Sequence, residues 1–291
     1  RIDPEVPRYQ SVVAVSAVTF GTRAISSRYA FADGMDTLTI LFLRFTLATL
    51  LMLALLRLRG EPLPRGSALL RLALMGAVGY IGQAYCFITA LNYASSGLVA
   101  LLLYIYPALV TALSILLLKE RPAPKAYLAL GLALAGTALV VSPGGGQWQG
   151  IALALLSAFI YSGYILVGAQ VMKQVSAVQS STVIFASAAL MSGLLMQMDG
   201  PHPPQTSLGW GALAAIVIFA TVIPVTTFLA GISRVGASTA SMLSTLEPVV
   251  TVLLAAWLFG ERLAPVALLG GALILFAVLL LATAQTAEQP S

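Results

Sequence analysis

The chain has 291 residues, of which 59% are apolar and only 9% charged, with a formal net charge of +5. A water-soluble domain carries roughly 25% charged residues, so most of this surface must face something other than water. A single cysteine, Cys86, excludes an internal disulfide and a cysteine metal cluster, and the lone histidine, His202, sits in a Pro-rich connector that argues against a histidine metal site. No cofactor, metal or nucleic-acid partner is expected.

Apolar runs long enough to cross a bilayer, about 20 residues each, recur along the chain. They fall at 10–31, 37–57, 69–91, 96–118 and 124–142, then at 150–172, 178–198, 209–232, 237–259 and 264–284. The fold class expected is therefore an all-α integral membrane protein of about ten transmembrane helices. The connectors are short and polar, and none could hold a soluble domain. The first apolar run is followed by charge rather than by a small-residue cleavage site, so no cleavable signal peptide is expected. The chain begins with Arg1 rather than Met, so its native N-terminus is expected to be missing or replaced.

Lysine and arginine set the orientation. With the N-terminus in the cytoplasm, the tail and the even-numbered loops hold 11 of the 15 basic residues, from Arg1 and Arg8 to Lys173 and Arg234. Both termini are expected to be cytoplasmic, as tails 1–9 and 285–291.

A shift of 141 residues aligns Pro107 with Pro248, Glu120-Arg121 with Glu261-Arg262, and Ala123-Pro124 with Ala264-Pro265. The same shift lays Ser16-Ala17 on Ser157-Ala158. The chain thus divides into an N-terminal five-helix repeat (10–142) and a C-terminal one (150–284). Five is odd, so the second repeat enters the bilayer inverted, the plan that places a substrate site near the midplane between halves.

Several residues inside the spans are candidates for function. Pro107, Pro224 and Pro248 are helix-interior prolines, which free the carbonyls of Leu103, Ala220 and Ser244 and kink their helices. Those carbonyls must be satisfied by a neighbour, water or substrate. Arg23 and Glu247 are mid-span charges, costing at least about 2.5 kcal/mol each unless paired. They read equally as a structural ion pair or as functional groups. Arg44 reads as structural or as snorkelling toward the interface. Tyr80, Tyr85, Tyr104, Tyr106, Tyr161 and Tyr164 lie deeper than interfacial tyrosines and near Gln83. They suit either a cavity for a small amphipathic solute or hydrogen bonding between helices. Ser238, Ser241 and Thr245 read as a packing face.

Leu43-Arg44-Phe45, Ala90-Leu91-Asn92-Tyr93-Ala94, Tyr106-Pro107…Lys119-Glu120-Arg121 and Leu246-Glu247-Pro248…Gly260-Glu261-Arg262 together resemble the drug/metabolite transporter superfamily in its EamA-type branch. The resemblance spans essentially the whole chain and is greatest to the bacterial aromatic amino-acid exporters of the YddG type. It implies a multi-pass protein of the bacterial inner membrane, in contact with lipid, exporting amino acids or related metabolites. It also implies that Arg44 and Glu247 follow family-wide patterns. Many relatives carry Trp-Gly in the first helix, where this chain has Phe20-Gly21 followed by Arg23.

The function expected is a secondary transporter, working as a monomer, that exports aromatic or large neutral amino acids by alternating access. The substrate site would draw on Tyr80, Gln83, Tyr85, Tyr104, Tyr161, Tyr164, Arg23 and Ser244. Export of other small metabolites or drugs is the alternative. An intramembrane enzyme would need a nucleophile–base pair or metal ligands at depth, and the chain has neither H-E-x-x-H nor G-x-S-x-G. A channel would need a filter motif that the chain lacks.

Overall fold

The structure is a computed structural model that describes residues 6–118, 124–140, 147–171, 175–197, 200–230, 244 and 246–286. All regular structure among them is helical: α1 Val6–Phe20, α2 Arg23–Ala32, α3 Thr37–Leu58, α4 Gly66–Ala90, α5 Ser96–Leu103, α6 Tyr106–Leu118 and α7 Pro124–Val140. The second half supplies α8 Trp148–Val171, α9 Ala177–Met196, α10 Ser207–Ala230, α11 Leu246–Phe259 and α12 Pro265–Thr286.

Five of these helices are long and apolar enough to cross a membrane on their own: α3, α4, α8, α9 and α10. Two of the expected spans are broken. The first bends at Gly21-Thr22, between α1 and α2, and the fourth at Tyr104-Ile105, between α5 and α6. Outward faces carry Leu50, Leu190, Leu194 and Leu253, each well exposed, as expected of surfaces that lipid covers.

Helix ends are built from local chemistry. Asp36 caps α3 by accepting from the Leu38 and Thr39 amides at 3.1 and 3.2 Å. Ser176 and Gln179 form a reciprocal capping box on α9, and Thr206 accepts from Gly209 N at the start of α10. Gly60 ends the turn after α3 with φ +65°, a left-handed conformation that a side chain disfavours.

The packing follows the 141-residue shift. That shift carries α1–α2 onto α8, α3 onto α9, α4 onto α10, α6 onto α11 and α7 onto α12, while α5 falls on 237–244, of which only residue 244 is described. α3 packs on α9 and α7 on α12, each helix against its own equivalent, and α5 packs on α11. α4 packs on α8, while α10 packs on α1 and α2, which is the same pairing with the halves exchanged. Both α4 and α10 also contain a π-helical turn, Met75–Tyr80 and Ile218–Val222. The shift carries 75–80 onto 216–221, so the two wide turns fall at equivalent places.

Close approach depends on small residues, as in other bundles where lipid offers no drive to associate. An added Cβ at Gly76 would overlap the Ile184 carbonyl of α9, lying 2.9 Å from its carbon. One at Gly136 of α7 would lie 2.6 Å from the Gly270 carbonyl oxygen of α12. At the end of the bundle bearing residues 33–36 and 260–264, Glu261 ties three elements together. Its carboxylate accepts from the Ser96 and Gly97 amides at 3.3 and 3.4 Å and lies 3.4 Å from Arg28 Nη2.

Candidate functional site

The mid-bundle polar residues gather where helices of the two halves meet. Four ring contacts join five tyrosines in a continuous row. Tyr80 of α4 stacks on Tyr164 of α8 at 5.8 Å, and Tyr164 stacks on Tyr161 at 5.9 Å. Tyr161 meets Tyr106 edge-on at 4.9 Å, and Tyr106 meets Tyr104 at 5.5 Å. Such geometries are the ones the aromatic quadrupole favours. Tyr104 lies in the α5–α6 break and Tyr106 directly follows it; both are buried.

The row ends on an ion pair. The Tyr104 hydroxyl donates to the Ser244 carbonyl and lies 3.2 Å from Glu247 Oε2. Glu247 Oε1 is 3.6 Å from Arg23 Nη2, with side chains 13% and 5% exposed. Arg23 opens α2 just past the Gly21-Thr22 bend, and its guanidinium carbon lies 3.8 Å from the centroid of the Phe87 ring. The bend leaves the Gly21 carbonyl free, and Thr251 Oγ1 donates to it at 2.9 Å.

Two of the carbonyls that lie four residues before a proline find neighbours within the bundle. Ser244 O, four residues before Pro248, is the acceptor for Tyr104. Ala220 O, four before Pro224, accepts from Arg44 Nη2 at 3.3 Å. The side chains of Pro107 and Pro248 lie outside the described residues, as do Glu120, Arg121, Ser238, Ser241 and Thr245.

Arg44 does not snorkel. It is 0% exposed, because α3 is enclosed by α9, by the Ile81–Ala90 part of α4 and by the π turn of α10. Its Nε donates to Thr221 Oγ1 at 2.7 Å and its Nη2 to the Tyr80 hydroxyl at 3.2 Å. Gln83, 1% exposed, donates through Nε2 to Ser157 Oγ at 3.1 Å, while its Oε1 has no partner among the described residues.

One expected member is elsewhere. Tyr85 is 39% exposed and lines a cavity of about 390 Å³ near one end of the bundle, with Asp36, Thr89 and Asn92. Five residues along a helix amount to about 500° of rotation, so Tyr85 points about 140° away from Tyr80. Two participants escaped the sequence reading. Thr221 and Phe185 carry no pattern of their own, yet Phe185 stacks on Tyr80 and on Phe45 at 6.3 and 6.1 Å. The signal that could have found both is the shift itself, which lays Tyr80 on Thr221 and Arg44 on Phe185.

Comparisons with known proteins agree with a transporter. The EamA-like transporter family model matches twice, over residues 9–142 and 148–283, once for each half. An uncharacterised transporter of Archaeoglobus fulgidus is 30% identical over 272 residues, covering 93% of this chain and 95% of the relative. The uncharacterised transporter YcbK of Bacillus subtilis is 24% identical, with 91% and 89% covered. The uncharacterised inner membrane transporter YedA of Escherichia coli is 28% identical, with 81% and 78% covered. A crystal structure at 22% identity superposes with a TM-score of 0.71 over 97% of this chain and 99% of the other, a likeness of fold. With a membrane-type helical bundle and a family model matched in both halves, this chain belongs to the EamA-like transporter family.

Proposed function

We propose that the chain is a ten-span secondary transporter of the bacterial inner membrane that exports aromatic or large neutral amino acids, or related metabolites, by alternating access. The observation that carries this reading is the row of five tyrosines, ending on Arg23–Glu247, at the junction of helices from both halves. Phenol rings supply apolar faces for a side chain and hydroxyls for its polar end. Gln83 Oε1, buried and without a partner among the described residues, supplies an acceptor beside them.

Two inverted repeats of five spans, with both termini in the cytoplasm, suit rocking about such a midplane site. The exchange of helix pairings under the 141-residue shift supports this plan, since an equivalent closure is then available at either end of the bundle. One chain holds the whole site, so a monomer suffices.

The test is counterflow in proteoliposomes over a panel of amino acids, with and without a pH gradient. Saturable exchange of phenylalanine, tyrosine or leucine is expected, and Tyr80→Ala and Gln83→Ala should abolish it while leaving a monodisperse protein. No counterflow with any amino acid would overturn the substrate assignment. Undiminished flux in both variants would overturn the site.

A further inference from the structure

Arg57 and Arg71 sit at the ends of their spans; of the three arginines set farther in, two have a carboxylate. Arg23 is paired with Glu247 at 3.6 Å and Arg28 with Glu261 at 3.4 Å. Arg44 has none among the described residues. The sequence offers it no other, because besides Glu247 every acidic residue lies in a terminal tail or a connector. The acceptors that Arg44 does reach are neutral: the Thr221 hydroxyl, the Tyr80 hydroxyl and the Ala220 carbonyl. Its Nη1 reaches nothing among the described residues, although the side chain is 0% exposed. An arginine cannot lose its proton to escape this position. A buried guanidinium with no counter-ion among the described residues is a costly arrangement in a bundle interior, and intramembrane charge of this kind is a candidate for function.

The surroundings are those of a receptor for a small anion. Arg44 stands where the two π-helical turns converge, and it bonds Tyr80 from one and Thr221 from the other, which are residues equivalent under the 141-residue shift. Turns of this kind recur at functional sites. The Tyr80 hydroxyl accepts from Arg44 and keeps its own proton to donate. The rings of Phe45, Tyr80, Phe185 and Tyr164 stack beside it and lead into the tyrosine row.

We propose that Arg44 is the anion subsite of the transport pathway, and that its Nη1 takes a carboxylate of the transported solute. The solute is then a carboxylate attached to an apolar or aromatic body. Arg44 rather than Arg23 takes this carboxylate, because Arg23 is already neutralised by Glu247. This inference rests on the reading of the chain as a small-solute transporter and adds which charge that solute must carry.

The test uses the full chain, purified into nanodiscs, and three probes that share a phenyl ring. L-phenylalanine carries both charges, 3-phenylpropionate only the carboxylate, and 2-phenylethylamine only the ammonium. Calorimetry should find that wild type binds 3-phenylpropionate and that this probe competes with L-phenylalanine. Arg44→Met should lower 3-phenylpropionate affinity by about 100-fold, the scale for losing one partner of a buried charge pair, with phenylethylamine binding unmoved. Should Arg44→Met fail to fold, Arg44→Lys keeps the charge but loses the fork, and a fall of about 10-fold is expected.

Wild type that binds phenylethylamine but not phenylpropionate would overturn the proposal without any variant. So would an Arg44→Met protein that binds phenylpropionate as wild type does. Stabilisation by chloride alone, lost in Arg44→Met and not displaced by carboxylates, would assign the site to an inorganic ion and also overturn it. Counterflow separates this inference from the wider reading. Amino-acid exchange with Arg44-independent carboxylate binding defeats only the inference, whereas Arg44-dependent phenylpropionate binding without amino-acid exchange defeats only the amino-acid assignment.

Discussion

Ser16 Oγ donates to the carbonyl of Pro224 at 2.7 Å, and Ser157 Oγ donates to the carbonyl of Gln83 at 3.0 Å. The two bonds are one bond seen twice, since adding 141 turns 16 into 157 and 83 into 224. Each ties the first helix of one half to the third helix of the other. A repeat visible in sequence only through prolines, a Glu-Arg pair and a Ser-Ala pair is thus repeated in hydrogen bonds.

Removing either hydroxyl should destabilise the bundle modestly. Ser16→Ala is expected to cost about 0.6 kcal/mol, within the range for interhelical hydrogen bonds in bilayers. Ser157→Ala should cost more, because Gln83 Nε2 also loses its acceptor and remains buried. Reversible unfolding in mixed micelles would measure both. Equal values for the two would remove the argument for the amide's share.

Breaking the Arg23–Glu247 pair should be far more damaging. Glu247→Gln strands a guanidinium that is 4% exposed, and losing one partner of a buried pair costs about 3–5 kcal/mol. Arg23→Met combined with Glu247→Gln should recover much of that loss, because no charge is then left unpaired. Thermal unfolding of the two single variants and the double variant measures the coupling. A double variant no more stable than Glu247→Gln would mean that the pair is not what holds these helices.

Much of this arrangement was legible in the sequence, and the gaps have physical causes. Apolar run length gave the helices, and charge scarcity singled out Glu247 as the acceptor for an arginine. The bends at Gly21-Thr22 and Tyr104-Ile105 were not legible, since a bend inside an apolar run leaves its hydropathy unchanged. The π turns were hidden for a different reason. MGAVGY and IFATV share no residue pattern, so no local signal marks the wider hydrogen-bond register of either turn. Tyr85 shares the depth of the other tyrosines along the chain but not their face, because five residues of helix turn it away from Tyr80.

Glycines in this bundle should divide sharply by what lies opposite them. Gly76→Ala places a methyl against the Ile184 carbonyl and the Ser187 hydroxyl, so backbone must separate and α4 must leave α9. A cost of at least about 2–3 kcal/mol is expected from overpacking. Gly131→Ala on α7 meets nothing within 4 Å and should be neutral or stabilising by up to about 1 kcal/mol, from helix propensity. Monodispersity and melting temperature of the two variants distinguish them. A Gly76→Ala protein as stable as wild type would mean that α4 and α9 do not pack this closely.

Asp33 should make the connector end of the bundle sensitive to acid. It follows α2 outside the spans, and its carboxylate accepts from the Thr206 hydroxyl, from Gln205 N at 2.7 Å and from Thr206 N at 3.2 Å. Chiefly the Thr206 hydroxyl holds its pKa below the ordinary carboxylate value, with the two amides adding to it. A group whose folded pKa is depressed stabilises fully above its unfolded value, near about 3.9 for aspartate, and loses that contribution as pH falls through the folded value. Asp33→Asn should therefore be less stable than wild type at pH 7, and the two should converge below the ordinary carboxylate range. Hydrogen exchange at the Gln205 and Thr206 amides, followed from neutral to acidic pH in both proteins, reads this contact directly. Protection at those amides that is equal in wild type and Asp33→Asn at pH 7 would mean that the carboxylate does not hold the α9–α10 connector.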